Sequence, residues 1–350
     1  MAQFSIGYLI PRYVLPAVKR LPLWLLLLAA LKGCGRNDND VPPVPGSATQ
    51  PPAPLRQDSG EVATQTNSPS NSSLDLEQDV TRILASIPDD VTPLREQLQR
   101  DWEVSFQWDE RDDGKIFLAQ LSFRKQLNDG HLVALVGLPG PLDVSLSRTG
   151  VSDLGLALLA RLRVTQRQGQ PLLADIWELH LGYTRVSDAG LPHLSAFASL
   201  RVIDLTKTDI SDAGLVHLAK LTQLRRLILA RTPIYGSGLA HLRELKSLIE
   251  LDLDATYLND DGLQQLPALP QLQKLNLRGT RITDAALARL KDLPALEELD
   301  VTNTRITDAC VPYLKELKKL RRLRIADRTG LTERGAIQLR LALPEQVQID

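Results

Sequence analysis

Leu224-Arg-Arg-Leu-Ile-Leu-Ala-Arg-Thr-Pro-Ile234 decides how this chain is read. Its pattern is L-x-x-L-x-L-x-x-T-x-I, and the threonine recurs at Thr184, Thr208, Thr232, Thr256, Thr280 and Thr304, each 24 residues after the last. Two residues beyond each stands Val186, Ile210, Ile234, Leu258, Ile282 or Ile306; three before each stands Leu181, Leu205, Leu229, Leu253, Leu277 or Val301. A fixed period of this length marks a stacked array, in which each unit buries its apolar face against its neighbours. The alternating L-x-L predicts a short strand with one buried face. The second half, as in Ile210-Ser-Asp-Ala-Gly-Leu-Val-His-Leu218, places leucines three residues apart and predicts a helical turn on the opposite side. Ser211, Thr283 and Thr307 suit helix N-caps, and Asp212, Asp284 and Asp308 complement the positive end of their own helices.

Composition agrees with a core built by one packing rule. Of 350 residues 68 are leucine, while Phe, Trp and Tyr together make 4%. The balance of 41 basic and 42 acidic side chains argues against a sequence-independent nucleic-acid binder, which needs a basic surface. Two cysteines exclude a disulfide framework and a four-thiolate zinc site. Looser units flank the regular ones. Leu127, Leu132, Leu135 and Leu138 form the convex half of a first unit. Val144, Leu146, Thr149, Val151 and Asp153 form the next, followed by eleven extra residues around 161–175. Leu323 and Ile325 begin the last unit, whose Thr329 is displaced by a one-residue insertion. About eight repeats then occupy 127–340. An N-terminal cap (74–126, helical patterning and then strand, turn, strand) and a C-terminal cap (341–350) close the ends.

This repeat resembles the leucine-rich repeat family, in the variant with I-T-D-A-G-L-type convex segments found in F-box-type and many bacterial members. The resemblance covers about residues 127–340. It implies an α/β fold, a right-handed solenoid with a parallel β-sheet on the concave face and short helices on the convex face. It also implies a non-enzymatic protein that binds a protein or peptide partner along the concave sheet. The amino terminus carries a second resemblance. Lys19 and Arg20 precede an eleven-residue apolar run, 21–31, shorter than the roughly 20 residues that cross a bilayer. With Leu31-Lys-Gly-Cys34 it looks like a bacterial lipoprotein signal (residues 1–33), although Lys32 stands where a small residue is usual. That implies export, lipidation of Cys34 and a membrane anchor facing the cell envelope; an ordinary cleaved signal or a short anchor are the alternatives. Residues 34–73 are rich in Pro, Ser and Thr and are expected to be a disordered tether.

Searches for chemistry narrow the reading. His193, His217 and His241 form a column, but they sit on the convex side, where neighbouring segments diverge beyond one zinc shell. The aspartates at 188, 212, 260, 284 and 308 each have a helix start to serve and lack an EF-hand-like oxygen-dense loop. Cys310 occupies the slot of Gly214 and reads as a small buried thiol. No G-x-S-x-G, Walker, H-E-x-x-H or G-x-G-x-x-G motif occurs, so no catalytic residue, metal or cofactor is expected. The basic run from Lys315 to Arg324 is a solvated face or a contact for an anionic envelope polymer. On the sheet, the third position of the repeat runs Glu178, Val202, Arg226, Glu250, Lys274, Glu298, Arg322 and neutralises itself. The fifth runs His180, Asp204, Ile228, Asp252, Asn276, Asp300, Arg324 and is acidic in its middle. Asp252, Asp254 and Asp300, with Tyr183 and His180 towards the amino end, are therefore the expected contacts for a partly basic partner. An F-box-like ubiquitin-ligase adaptor is the alternative class, but signal and tether occupy the space its docking module needs.

Overall fold

The computed structural model describes residues 72–94, 96, 127–138, 140–325 and 328–350. The expected signal, Cys34, most of the tether and the strand–turn–strand part of the N-terminal cap lie outside the described residues. The described strands in chain order are β1 (Leu142–Ser145), β2 (Gln166–Arg167), β3 (Gln170–Pro171), β4 (Ile176–His180), β5 (Val202–Asp204) and β6 (Arg226–Ile228). There follow β7 (Glu250–Asp252), β8 (Lys274–Asn276), β9 (Glu298–Asp300), β10 (Arg322–Arg324) and β11 (Gln348–Ile349). Nine of them form one parallel sheet in the order β1-β4-β5-β6-β7-β8-β9-β10-β11, while β2 and β3 make a separate antiparallel pair. Eight repeat strands are thus present, and β11 completes the carboxyl-terminal edge. Short 3-10 and α-helical segments alternate with the strands, so the fold is the expected α/β solenoid.

Each repeat strand buries its middle residue and leaves the two beside it on the open face. Leu179, Ile203, Leu227, Leu251, Leu275, Leu299 and Leu323 form the buried row. Behind each strand the threonine does what its regular spacing implies. The hydroxyls of Thr149, Thr184, Thr208, Thr232, Thr256, Thr280 and Thr304 donate to the carbonyl three residues back, at 2.5–2.9 Å. All seven are buried, so each hydrogen bond satisfies a turn carbonyl that water cannot reach. Thr329 reaches four residues back, to Ile325, as the one-residue insertion requires.

The residue before each threonine takes a left-handed conformation. Arg148, Tyr183, Lys207, Arg231, Ala255, Asn303 and Arg328 have φ between 51° and 63°, and only Gly279 fills this position with glycine. Non-glycine residues pay about 1–2 kcal/mol there. What holds them is the ladder itself: Tyr183 N donates to Thr206 O, Lys207 N to Ala230 O and Arg231 N to Asp254 O at 2.7–2.8 Å.

The aspartate column does more than the sequence predicts, since Asp284 and Asp308 lie in the first turn of their own helical segments as expected. Thr283 and Thr307 do cap their own helical segments, accepting from Ala285 and Ala309, whereas Ser211 accepts from Ala213 just ahead of a segment whose N-cap residue is Ala213. The aspartates also reach forward into the next repeat. Asp129 accepts from Ser152, Asp153 from Ser187, Asp188 from Ser211, Asp260 from Thr283, Asp284 from Thr307 and Asp308 from Thr332, each through both the amide and the hydroxyl. Asp212 accepts from the amides of Tyr235, Gly236 and Gly238, where the next unit lacks the Ser-Asp pair. The glycine of the D-A-G segment leaves room for this. A Cβ on Gly190 or Gly214 would overlap the carboxylate of Asp153 or Asp188 from the preceding repeat.

The eleven extra residues extend one convex segment into the helix Asp153–Val164 and add the β2–β3 hairpin, and β1 still pairs with β4 in parallel, with one register shift between Leu142 and Asp143. The helix Ser72–Ala85 packs Val80, Ile83 and Leu84 against the amino-terminal end of the core. At the other end the helix Glu333–Ala342, with Leu343 and Val347 buried, closes the stack. Among the described residues no helix is long and apolar enough to cross a membrane.

Candidate functional site

The parallel register turns the sequence columns into physical rows. Glu178, Val202, Arg226, Glu250, Lys274, Glu298 and Arg322 are successive neighbours, as are His180, Asp204, Ile228, Asp252, Asn276, Asp300 and Arg324. The first row pairs charge with charge across strands: Arg226–Glu250 at 3.0 Å and Lys274–Glu298 at 2.8 Å. Those side chains are part-exposed, so such pairs contribute roughly 0–1 kcal/mol each. Between β7 and β10 the face holds a shallow depression of about 260 Å³, lined by Asp252, Asn276 and Asp300 and bounded by Arg322 and Arg324.

The expected contact residues fall into two groups rather than one. Asp252 and Asp300 share this depression with Asn276 between them. Burial raises the Asp252 carboxyl above its ordinary value, opposed by hydrogen bonds from the Asp254 amide and the Asn276 side chain. Asp254 stands 3.9 Å from Arg231, and Asp300 stands 3.7 Å from Arg324 while accepting from Thr302. Two of the three expected acids therefore already face a cation of this chain. His180 lies on β4, three strand spacings or about 14 Å from the Asp252 strand. Tyr183 lies along its own row, with the Arg148 guanidinium 4.5 Å and the Lys207 ammonium 5.5 Å from its ring centre. Its aromatic face is engaged by neighbouring repeats.

Two features escaped the sequence reading. His180 stands against Glu178 on its own strand and Asp143 on β1, forming a cluster described further below. The Glu178 carboxylate is the largest influence raising the His180 pKa; burial opposes it, and Asp143 and Asp204 add to it. Asp143 and Glu178 belong to the same row, but the insertion separates them by 35 residues instead of 24 and hides the register. Among the described residues this trio is where metal-ligand-type atoms converge, and the convex His193, His217 and His241 form no such group. On the flank of the array Tyr235 and Tyr257, 54% and 43% exposed, stack at 5.1 Å with Arg281 over Tyr257. Their spacing of 22 residues, not 24, concealed that contact.

A parallel sheet open on one side and backed by short helices defines a repeat solenoid that presents an extended surface. Residues 183–340 match the family model of the leucine-rich repeat region. No curated protein matches the chain. Leucine-rich repeat domains generally bind protein partners and are typically non-enzymatic.

Proposed function

We propose that this protein is an exported, lipid-anchored, non-enzymatic binding protein that holds a protein or peptide ligand on its concave sheet. The observation that carries the reading is the depression between β7 and β10, where Asp252 and Asp300 stand in one row separated only by Asn276. Glu250 and Glu298 are occupied by Arg226 and Lys274, which leaves Asp252 as the acid best placed for an incoming cation. Its carboxyl is already partly desolvated, so a lysine or arginine of the ligand meets a group whose burial cost has been met. Arg322 and Arg324 at the far end, already engaged by Gln348, Asp350 and Asp300, bound the depression with positive charge. The ligand is therefore basic where it crosses β7.

Export and anchoring rest on the apolar run 21–31 and Cys34. Acyl chains at one cysteine and its amine would hold the protein stably, where a single chain would not. Metabolic palmitate labelling of the full chain tests this: label should appear in the wild type and vanish in Cys34→Ala. The binding face is tested by a photo-crosslinking residue at Asn276, with the same residue at Lys291 on the convex side as control. Crosslinks from Asn276 alone support the reading; crosslinks from Lys291 alone move the ligand to the other side.

A further inference from the structure

At the amino-terminal end of the same face, Asp143, Glu178 and His180 form a cluster unlike the charge pairs along β6 to β9. Asp143 and Glu178 occupy directly paired positions of β1 and β4, where like charges repel. His180 lies two residues along β4 and so on the same face as Glu178. Its Nε2 stands 3.6 Å from Asp143 Oδ1 and 3.9 Å from Glu178 Oε2. One ligand-type atom from each residue lies within 4.8 Å of the other two. We propose that these three side chains form a binding site for a divalent first-row transition-metal ion, with His180 Nε2 and one oxygen each from Asp143 and Glu178 as ligands.

Bonds of about 2.0–2.2 Å at tetrahedral angles set ligand atoms about 3.3–3.6 Å apart. The two histidine–carboxylate separations are within a few tenths of an ångström of that, and the two carboxylates lie within 4.8 Å of each other, so the site closes on the ion by drawing the carboxylates together. The donor chemistry selects the ion. Imidazole beside two carboxylates suits Zn²⁺ and its neighbours, whereas Mg²⁺ and Ca²⁺ favour all-oxygen shells. The side chains of Asp143, His180 and Glu178 are 14%, 26% and 32% exposed, sheltered at the base and open towards the solvent for a remaining ligand. Asp204, paired with His180 on β5 and fixed by Thr206, adds negative potential around the imidazole. The site would also tie β1 to β4 across the inserted helix and hairpin, where the register slips by one residue. It does not depend on the partner reading, because the metal is titrated alone.

The test is calorimetric titration of the full chain, stripped with chelator and dialysed, with zinc chloride. One Zn²⁺ per chain should bind at this site. His180→Gln should abolish that binding, Asp143→Asn should weaken it on the order of tenfold or more, and His217→Gln should leave it unchanged. A second measurement needs no variant: added Zn²⁺ should shift the Nε2 resonance of His180 in the wild-type protein. Absence of stoichiometric binding, binding that survives His180→Gln, or an unshifted His180 resonance would each overturn the site and leave a histidine bridging two carboxylates.

Discussion

At the scale of single residues, the buried threonines carry a cost that hydrophobic patterning does not reveal. Thr232 and Thr256 are almost wholly buried, and their hydroxyls donate to Leu229 and Leu253 carbonyls. Valine has nearly the same shape but removes the hydroxyl donor, leaving the Leu253 carbonyl only the longer bond from the amide of residue 256 at 3.3 Å. Thr232→Val and Thr256→Val are expected to cost about 1–3 kcal/mol each. Chemical denaturation decides it, and a loss below about 0.3 kcal/mol would show that these bonds contribute nothing net. Cys310 is the opposite case, a polarisable group kept inert. It is fully buried in the slot that Gly214 fills four repeats earlier, and burial first, then Asp284 and Asp308, push its thiol up to about 12. At pH 8 only about 1 in 10,000 of such thiols is thiolate, the reactive form. Iodoacetamide should therefore modify the Cys310 peptide only after the protein is unfolded. Modification of the folded chain at the rate of an exposed cysteine would contradict the burial.

At the scale of the element, the unit of construction is the join between repeats. The Asp–Ser/Thr–Gly pattern works across that join: one repeat supplies the carboxylate, the next supplies the amide, the hydroxyl and the glycine that leaves room. This makes a prediction that independent repeats would not. Gly214→Ala should destabilise by about 1–3 kcal/mol, because the new methyl overlaps the Asp188 carboxylate. Asp188→Ala should cost a similar amount through the amide and hydroxyl of Ser211 that it leaves unbonded. In the double variant the methyl enters the space that the carboxylate vacated. The combined loss should fall short of the sum by about 0.5–3 kcal/mol. Denaturation of all four proteins measures the coupling, and additive losses would mean that the two residues do not share one site. The left-handed residue before each threonine is a device of the same scale. Arg, Tyr, Lys, Ala and Asn occupy it in every repeat but that of Gly279, so no recurring glycine marks the turn in the sequence.

At the scale of the whole molecule, what could be read from the sequence was whatever kept the 24-residue period. The threonine column, the eight repeat strands and both charged rows on the sheet follow from it and recur in the structure. Two things broke the period and were missed, and a third kept it but was read incompletely. The insertion moved Asp143 out of phase with Glu178, so their meeting with His180 was invisible. Tyr235 and Tyr257 belong to different positions of the repeat, three residues and one residue past their threonines, yet stack on each other. The aspartates kept the period, but spacing alone could not tell a bond within a repeat from one to the next. The acidic patch was also overdrawn: a column lists charges, whereas Asp254 and Asp300 turn out to face Arg231 and Arg324. The central claim is that the concave row through β7 to β9 binds a partly basic ligand. Once crosslinking has identified that ligand, its affinity for Asp252→Lys and Asp300→Lys should be measured across a range of salt concentrations. The account predicts weaker binding and a shallower salt dependence in both, with the larger effect at Asp252. Unchanged affinity in both variants would contradict it and place the site on the convex side or on the flank at Tyr235 and Tyr257.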